Sequence, residues 1–185
     1  MRTAMRTATL TPLMLALLAT GCSKKPTKEQ LDAAEALVME IGWKAADAFD
    51  RDPAAKELAA NSPKGHALCG SAAPFPDVMP SEGKTARVSP DTFKKTTDAN
   101  SRYVGWMCMR FEGPEEVSFQ YSYAAGSRYR SPARGGKDPG PNGFEVCAEA
   151  DFVKGGPTTL ICVTGYADPA AGHAKANPDV FQASE

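Results

Sequence analysis

The sequence predicts an α+β domain, with one N-terminal amphipathic helix packed on a four-stranded antiparallel sheet and a long stapled loop between them. Three observations predict it. Apolar residues between 31 and 48 recur at alternating three and four, the period of one helix face. Four strand-like runs follow in the second half, in two pairs each joined by a connection too short for a parallel crossover. Between helix and strands lies a proline-rich stretch holding one cysteine, Cys69.

The first element is an address. Residues 1–21 carry Arg2 and Arg6, then an uncharged stretch with an apolar centre at residues 13–18, and end in Ala19-Thr20-Gly21 before Cys22. The apolar run falls short of the ~20 residues that span a bilayer. The ending resembles a bacterial lipobox, with Ala19 where leucine is usual, so Cys22 is the expected lipidation site and 1–21 the removed signal. Ser23 after the cysteine favours the outer membrane. The expected protein is thus a lipid-anchored envelope protein whose partner is the membrane itself. Removing Arg2 and Arg6 changes the balance of 21 basic and 22 acidic residues to 19 − 22 = −3. That excludes a general nucleic-acid binder, which carries a basic excess. About 160 residues remain, enough for one domain with a real core.

Residues 22–28 form a polar tether. Thr27 and Gln30 have the spacing of a capping box. Leu31, Ala34, Val38, Ile41, Ala45 and Ala48 form the stripe, widened by Leu37 and Phe49, and the helix runs to about Asp50. Pro53 marks a possible restart over residues 53–60. Residues 66–102 read as irregular, because Pro74, Pro76, Pro80 and Pro90 interrupt pairing. The predicted strands are 103–111, 117–124, 143–152 and 158–166. Alternation places Val117, Phe119, Tyr121 and Tyr123 on one face; in the third strand Phe144, Val146, Ala148 and Ala150 oppose Glu145, Cys147, Glu149 and Asp151. Residues 167–185, rich in Ala, Pro and Asn, read as a disordered tail in which Val180 and Phe181 could dock.

With Cys22 assigned to lipid, Cys69, Cys108, Cys147 and Cys162 remain, and four cysteines allow three connectivities. A hairpin centred on Lys154-Gly155 sets Cys147 opposite Cys162, close enough to bridge. Cys69 then pairs with Cys108. A metal site is disfavoured, for there is no CxxC and no paired histidine.

The runs Gly105-Trp106-Met107-Cys108-Met109-Arg110-Phe111 and Pro114-Glu115-Glu116-Val117-Ser118-Phe119-Gln120-Tyr121-Ser122-Tyr123 resemble the type IV pilin-like (fimbrial) family. Gly143-Phe144 with Asp151, and Leu68-Cys69 with Ser71-Ala72, are similar to further segments of it. The resemblance spans about residues 27–166 and implies a pilin-like globular domain over 29–166, with a helix on a four-stranded sheet. It implies an accessory role beside a type IV pilus or secretion apparatus. Two departures stand out. The long apolar helix of a pilin is replaced by a lipidated cysteine and tether. The family's calcium-like turn is here 151–156, with Asp151 as one carboxylate; calcium takes six to eight oxygens, so none is expected.

Catalytic chemistry has little support. No Gly-x-Ser-x-Gly, His-Glu-x-x-His or P-loop is present; His66 and His173 read as solvated loop histidines, and Glu115-Glu116 as a solvated turn. No cofactor and no enzyme activity are expected. Glu145 and Glu149 are expected to solubilise the outer sheet face. The one charge concentration, Arg128, Arg130, Arg134 and Lys137 with Tyr129, reads either as a flexible solvated loop or as the site of an adhesive module for an anionic envelope polymer.

Overall fold

The structure, a computed structural model, describes residues 25–51, 67–94 and 104–184. The signal sequence, Cys22, the Pro53 restart and His66 lie outside the described residues. Helix α1 (Lys28–Asp50) starts at the predicted capping box: Gln30 N–H donates to Thr27 Oγ1 at 3.2 Å, and Thr27 N–H donates to Gln30 Oε1 at 3.0 Å. Ala34, Val38, Ile41, Ala45 and Phe49 are buried, with Leu31, Leu37 and Ala48 packed beside them. Gly42 lies on the same face. A Cβ there would come within 3.3 Å of Val163 Cγ1 and 3.6 Å of Ala176 Cβ, so the missing side chain lets helix and sheet approach closely.

The other elements are β1 (Ala72–Phe75), β2 (Ala86–Arg87), α2 (Asp91–Lys94), α3 (Val104–Cys108), β3 (Glu116–Val117), β4 (Gln120–Ala125), a 3-10 helix (Ser131–Arg134), β5 (Gly143–Asp151), β6 (Thr158–Asp168) and β7 (His173–Ser184). Five strands form one antiparallel sheet in the order β1-β4-β5-β6-β7, and β2 pairs with β3 separately. The helix lies across β5, β6 and β7.

This overturns the four-stranded architecture, both as read from the pattern and as implied by the pilin-like resemblance. Residues 103–111 do not form a strand. Where described they hold the short helix α3 and a turn at Arg110, whose φ is +52°. Trp106, Cys108, Met109 and Phe111 are all buried while Arg110 is exposed, and buried positions so spaced keep no strict alternation to tell helix from strand. The loop expected over 66–102 supplies β1, an edge of the main sheet, together with β2 and α2. Most of the expected tail is β7. Ala174 and Ala176 are buried towards the helix, Val180 packs on the core, and Asp168 accepts from the N–H groups of Ala170 and Ala171 at 3.0 Å to turn the chain back. Small residues read as weak strand formers, but under a close-packed helix they are the ones that fit.

The β5–β6 hairpin has the predicted register, with Cys147 facing Cys162 and the turn end closed by Asp151 opposite Thr158. Asp151 accepts from the N–H of Val153 at 2.9 Å and of Gly155 at 3.0 Å, so its carboxylate shapes the turn. Both predicted disulfides are present, Cys69–Cys108 and Cys147–Cys162. On the inner face Phe75 gathers Phe93, Trp106, Phe111 and Tyr121 with ring centroids 4.8–5.7 Å away. Burial raises the Tyr121 and Tyr123 hydroxyls well above the usual tyrosine range.

Candidate functional site

Residues 126–142 leave β4 and fold back over the outer face of the sheet. The strand alternation explains why. Phe144, Val146, Ala148 and Ala150 face the helix and core, which turns Glu145, Cys147 and Glu149 outwards. The outer face is therefore polar at two points around an apolar patch of Cys147, Cys162, Leu160 and Phe181. The returning loop covers the polar points.

Glu145 is 2% exposed. Its carboxylate accepts from the N–H of Arg130 at 2.5 Å, from the N–H of Ser131 at 3.0 Å, and from the Ser131 hydroxyl. Glu149 accepts from Arg130 Nη1, from Arg134 Nη2 at 2.9 Å and from Thr158 Oγ1 at 2.8 Å. Arg134 also donates to Thr158 O at 3.2 Å. Tyr129 pins the far end, its hydroxyl lying 2.7 Å from Gly140 O and 2.8 Å from Gly143 O with one proton to donate to either. Gly135 closes the 3-10 helix with φ +89°, a conformation that favours glycine.

The four predicted cations thus divide. Arg130 and Arg134 are ion-paired to Glu149, with side chains 37% and 18% exposed, and hold the loop down. They are structural before they are anything else, which corrects the reading of a free basic cluster on a flexible loop. Glu145 and Glu149 are correspondingly buried instead of solvated. Arg128 is exposed with φ +62°. Lys137 is exposed on the far flank. Ser131 beside Glu145 is no nucleophile, because it is fully buried.

Lys137 borders a cleft of about 420 Å³ between the loop and the β6–β7 edge, within the roughly 300–1,000 Å³ typical of small-ligand sites. Asp138, Pro139, Thr164, Tyr166, Lys175 and Asn177 also line it. Tyr166 and Lys175 are directly opposed across β6 and β7, and Tyr166 is 51% exposed. Neither lysine makes an ion pair among the described residues. Asp138 is the one carboxylate among the lining residues, and it accepts from Gly140 N–H at 2.8 Å. Two ammonium groups against one carboxylate leave the cleft cationic. Compared with protein-family models, curated proteins and solved structures, the chain matches none.

A second groove, of about 460 Å³, runs between α1 and the β3–β4 segment. Its lining includes Glu29, Glu40 and Glu116 and no lysine or arginine, so it repels anions. Glu116 pairs with Arg87 at 3.4 Å on the surface and Glu115 is exposed, as expected of a solvated turn. His173 is exposed, opposite Asp168 in the β6–β7 pairing. Glu145, Cys147 and Cys162 lie close together, but each cysteine sulfur is bonded to the other and offers no thiolate to a metal.

Sequence reasoning missed Tyr166 and Lys175. Tyr166 was within reach, since alternation from Cys162 puts it on the outer face. Lys175 was not, because residues 167–185 have the composition of a disordered tail.

The buried carboxylate carries a direct prediction. Glu145→Ala leaves the two N–H donors and the Ser131 hydroxyl without their acceptor, at a cost of roughly 1–3 kcal/mol. Urea denaturation should show that loss, and limited proteolysis should cut within 126–142 before the rest of the domain. Unchanged stability and an uncut loop would show that the carboxylate does not hold it.

Proposed function

We propose that this chain is a lipid-anchored, extracytoplasmic binding module that holds an anionic ligand in the Lys137–Lys175 cleft and does not transform it. The observation that carries the reading is the cleft itself, with two lysines left out of the ion-pair network beside an exposed Tyr166. The same loop uses Arg130 and Arg134 internally, and Arg128 does not line the cleft, so the cationic character of the cleft belongs to its lysines.

Export and anchoring rest on the apolar run that ends at Cys22 and on the two disulfides, which belong to an oxidising compartment. Ser23 supports the outer membrane. The apolar face of α1 is occupied by the protein's own sheet, which suits a stand-alone module better than a filament subunit.

Cys22→Ser should move the protein from the membrane to the soluble fraction, with no lipid on its N-terminus by mass spectrometry. The intact protein should bind an anionic polymer in a salt-sensitive manner, since exposed charges are screened over ~8 Å at 0.15 M salt. Lys137→Ala with Lys175→Ala should remove that binding. Retention of the double variant on the polymer at low salt would place the site elsewhere and overturn the reading.

A further inference from the structure

Resting on that reading, we infer that the cleft recognises a carboxylated sugar, one uronate unit of an acidic polysaccharide, with the sugar ring against Tyr166 and the carboxylate between Lys137 and Lys175. The geometry contains more than an anion trap needs. Tyr166 stands on the outer sheet face opposite Gly143 on one side and Lys175 on the other. Gly143 has no side chain to cover the ring, and a Cβ at that position would collide with Pro139, which packs over it from the loop. One wall of the cleft is therefore Pro139 and another is the half-exposed tyrosine. Aromatic rings hold an apolar body and a polar tip together, and half-exposed ones are suited to ligands that are themselves amphipathic. The C–H face of a pyranose is such a surface.

The polar groups agree. Asn177 Oδ1 accepts from the N–H of Asp179 at 3.3 Å, which leaves its amide donors directed by that bond and available to a hydroxyl. Asp138 uses a carboxylate oxygen on Gly140 N–H and keeps acceptor capacity for hydroxyl protons. A bare phosphate chain has no hydroxyls for Asp138, is repelled by it, and has no C–H face to set against the Tyr166 ring. A uronate uses all of these: the two ammonium groups for its carboxylate, the carboxylate and amide for its hydroxyls, and the ring for its C–H face.

The test is calorimetry on the full-length protein in detergent micelles. Three probes are titrated: an oligogalacturonate, the same oligomer with its carboxylates reduced to alcohols, and inorganic polyphosphate. The oligogalacturonate should bind and the reduced oligomer should bind at least tenfold more weakly. Tyr166→Ala should weaken oligogalacturonate at least tenfold and leave polyphosphate within twofold, while Tyr166→Phe retains the sugar. Circular dichroism should be unchanged in both variants, because this side chain is half exposed. If Tyr166→Ala leaves oligogalacturonate binding intact while Lys137→Ala with Lys175→Ala abolishes both anions, the cleft is an anion site without sugar recognition. The inference then falls and the binding-module reading stands. If neither anion binds, both fall.

Discussion

Trp106→Ala is expected to be the most damaging single substitution in the domain, at about 3–5 kcal/mol. Trp106 is fully buried, and its ring contacts those of Phe75, Phe93, Phe111 and Tyr123 with centroids 5.1–6.5 Å apart. Truncation leaves a cavity that aromatic neighbours, themselves wedged edge-on against one another, cannot close. It also strands Ala73 O, which accepts the indole N–H at 2.9 Å and so loses the bond that ties edge strand β1 to α3. Domains are stable by only about 5–15 kcal/mol, so the loss is a large share of the total. Guanidinium denaturation followed by circular dichroism measures it. Fluorescence supplies an independent check, because the other tryptophan, Trp43, is 61% exposed. Removing Trp106 should shift the emission to the red, to that of a solvated indole. A loss below about 1 kcal/mol, the size of an ordinary surface substitution or less, would show that Trp106 does not organise this end of the core.

The elements that could be read from the chain are those in which local pattern and tertiary demand agree. Thr27 and Gln30 cap α1 by contacts within four residues, and the stripe from Leu31 to Phe49 has a single face to bury. The β5–β6 hairpin is legible because its alternation and its turn specify the same register, which is why Cys147 finds Cys162. The misread elements are those whose identity depends on something distant. The helix α3 is one short turn packed against β1, α2 and the core aromatics, with Gly105, Trp106 and Cys108 all buried, too short for its sequence to show a period. Strand β7 is rich in alanine because α1 presses on it through Gly42, and nothing within residues 173–184 announces that pressure. The basic loop was legible as a charge cluster but not as a site. Arg130 and Arg134 are both paired with Glu149, a partner fifteen to nineteen residues away on a strand face that alternation alone assigns to solvent. The lysines that line the cleft are Lys137, which belongs to that charge cluster, and Lys175, from the strand that composition concealed.

The second large effect concerns the bridge between Cys69 and Cys108. The two cysteines are separated by 39 residues, and closing a loop of that size restricts the unfolded chain by about 4 kcal/mol; the Cys147–Cys162 bridge, separated by 15, contributes about 3. Cys69→Ala with Cys108→Ala should therefore destabilise more than Cys147→Ala with Cys162→Ala. The structure gives a second reason for the same order. The hairpin carrying Cys147 and Cys162 is held by nine paired positions, and its sulfurs lie under Leu160 and Phe181, so the strands stay together without the bond. The segment following Cys69 has four residues of β1, two of β2, a bridge from Ser81 to Asp151 and a Gln120 hydrogen bond to Pro76 O to hold it, with Tyr123 Oη on Cys69 O at 3.1 Å and Arg51 Nη2 on Cys108 O at 3.0 Å. Those hydrogen bonds fix the two ends to the core but do not fix them to each other. Without the bridge, residues 67–94 should become sensitive to protease while β5–β6 stays protected from hydrogen exchange. Equal loss from both double variants, with no new cleavage in 67–94, would mean that the middle segment is held by its aromatic contacts, and Phe75 with Phe93 would then be the next pair to truncate.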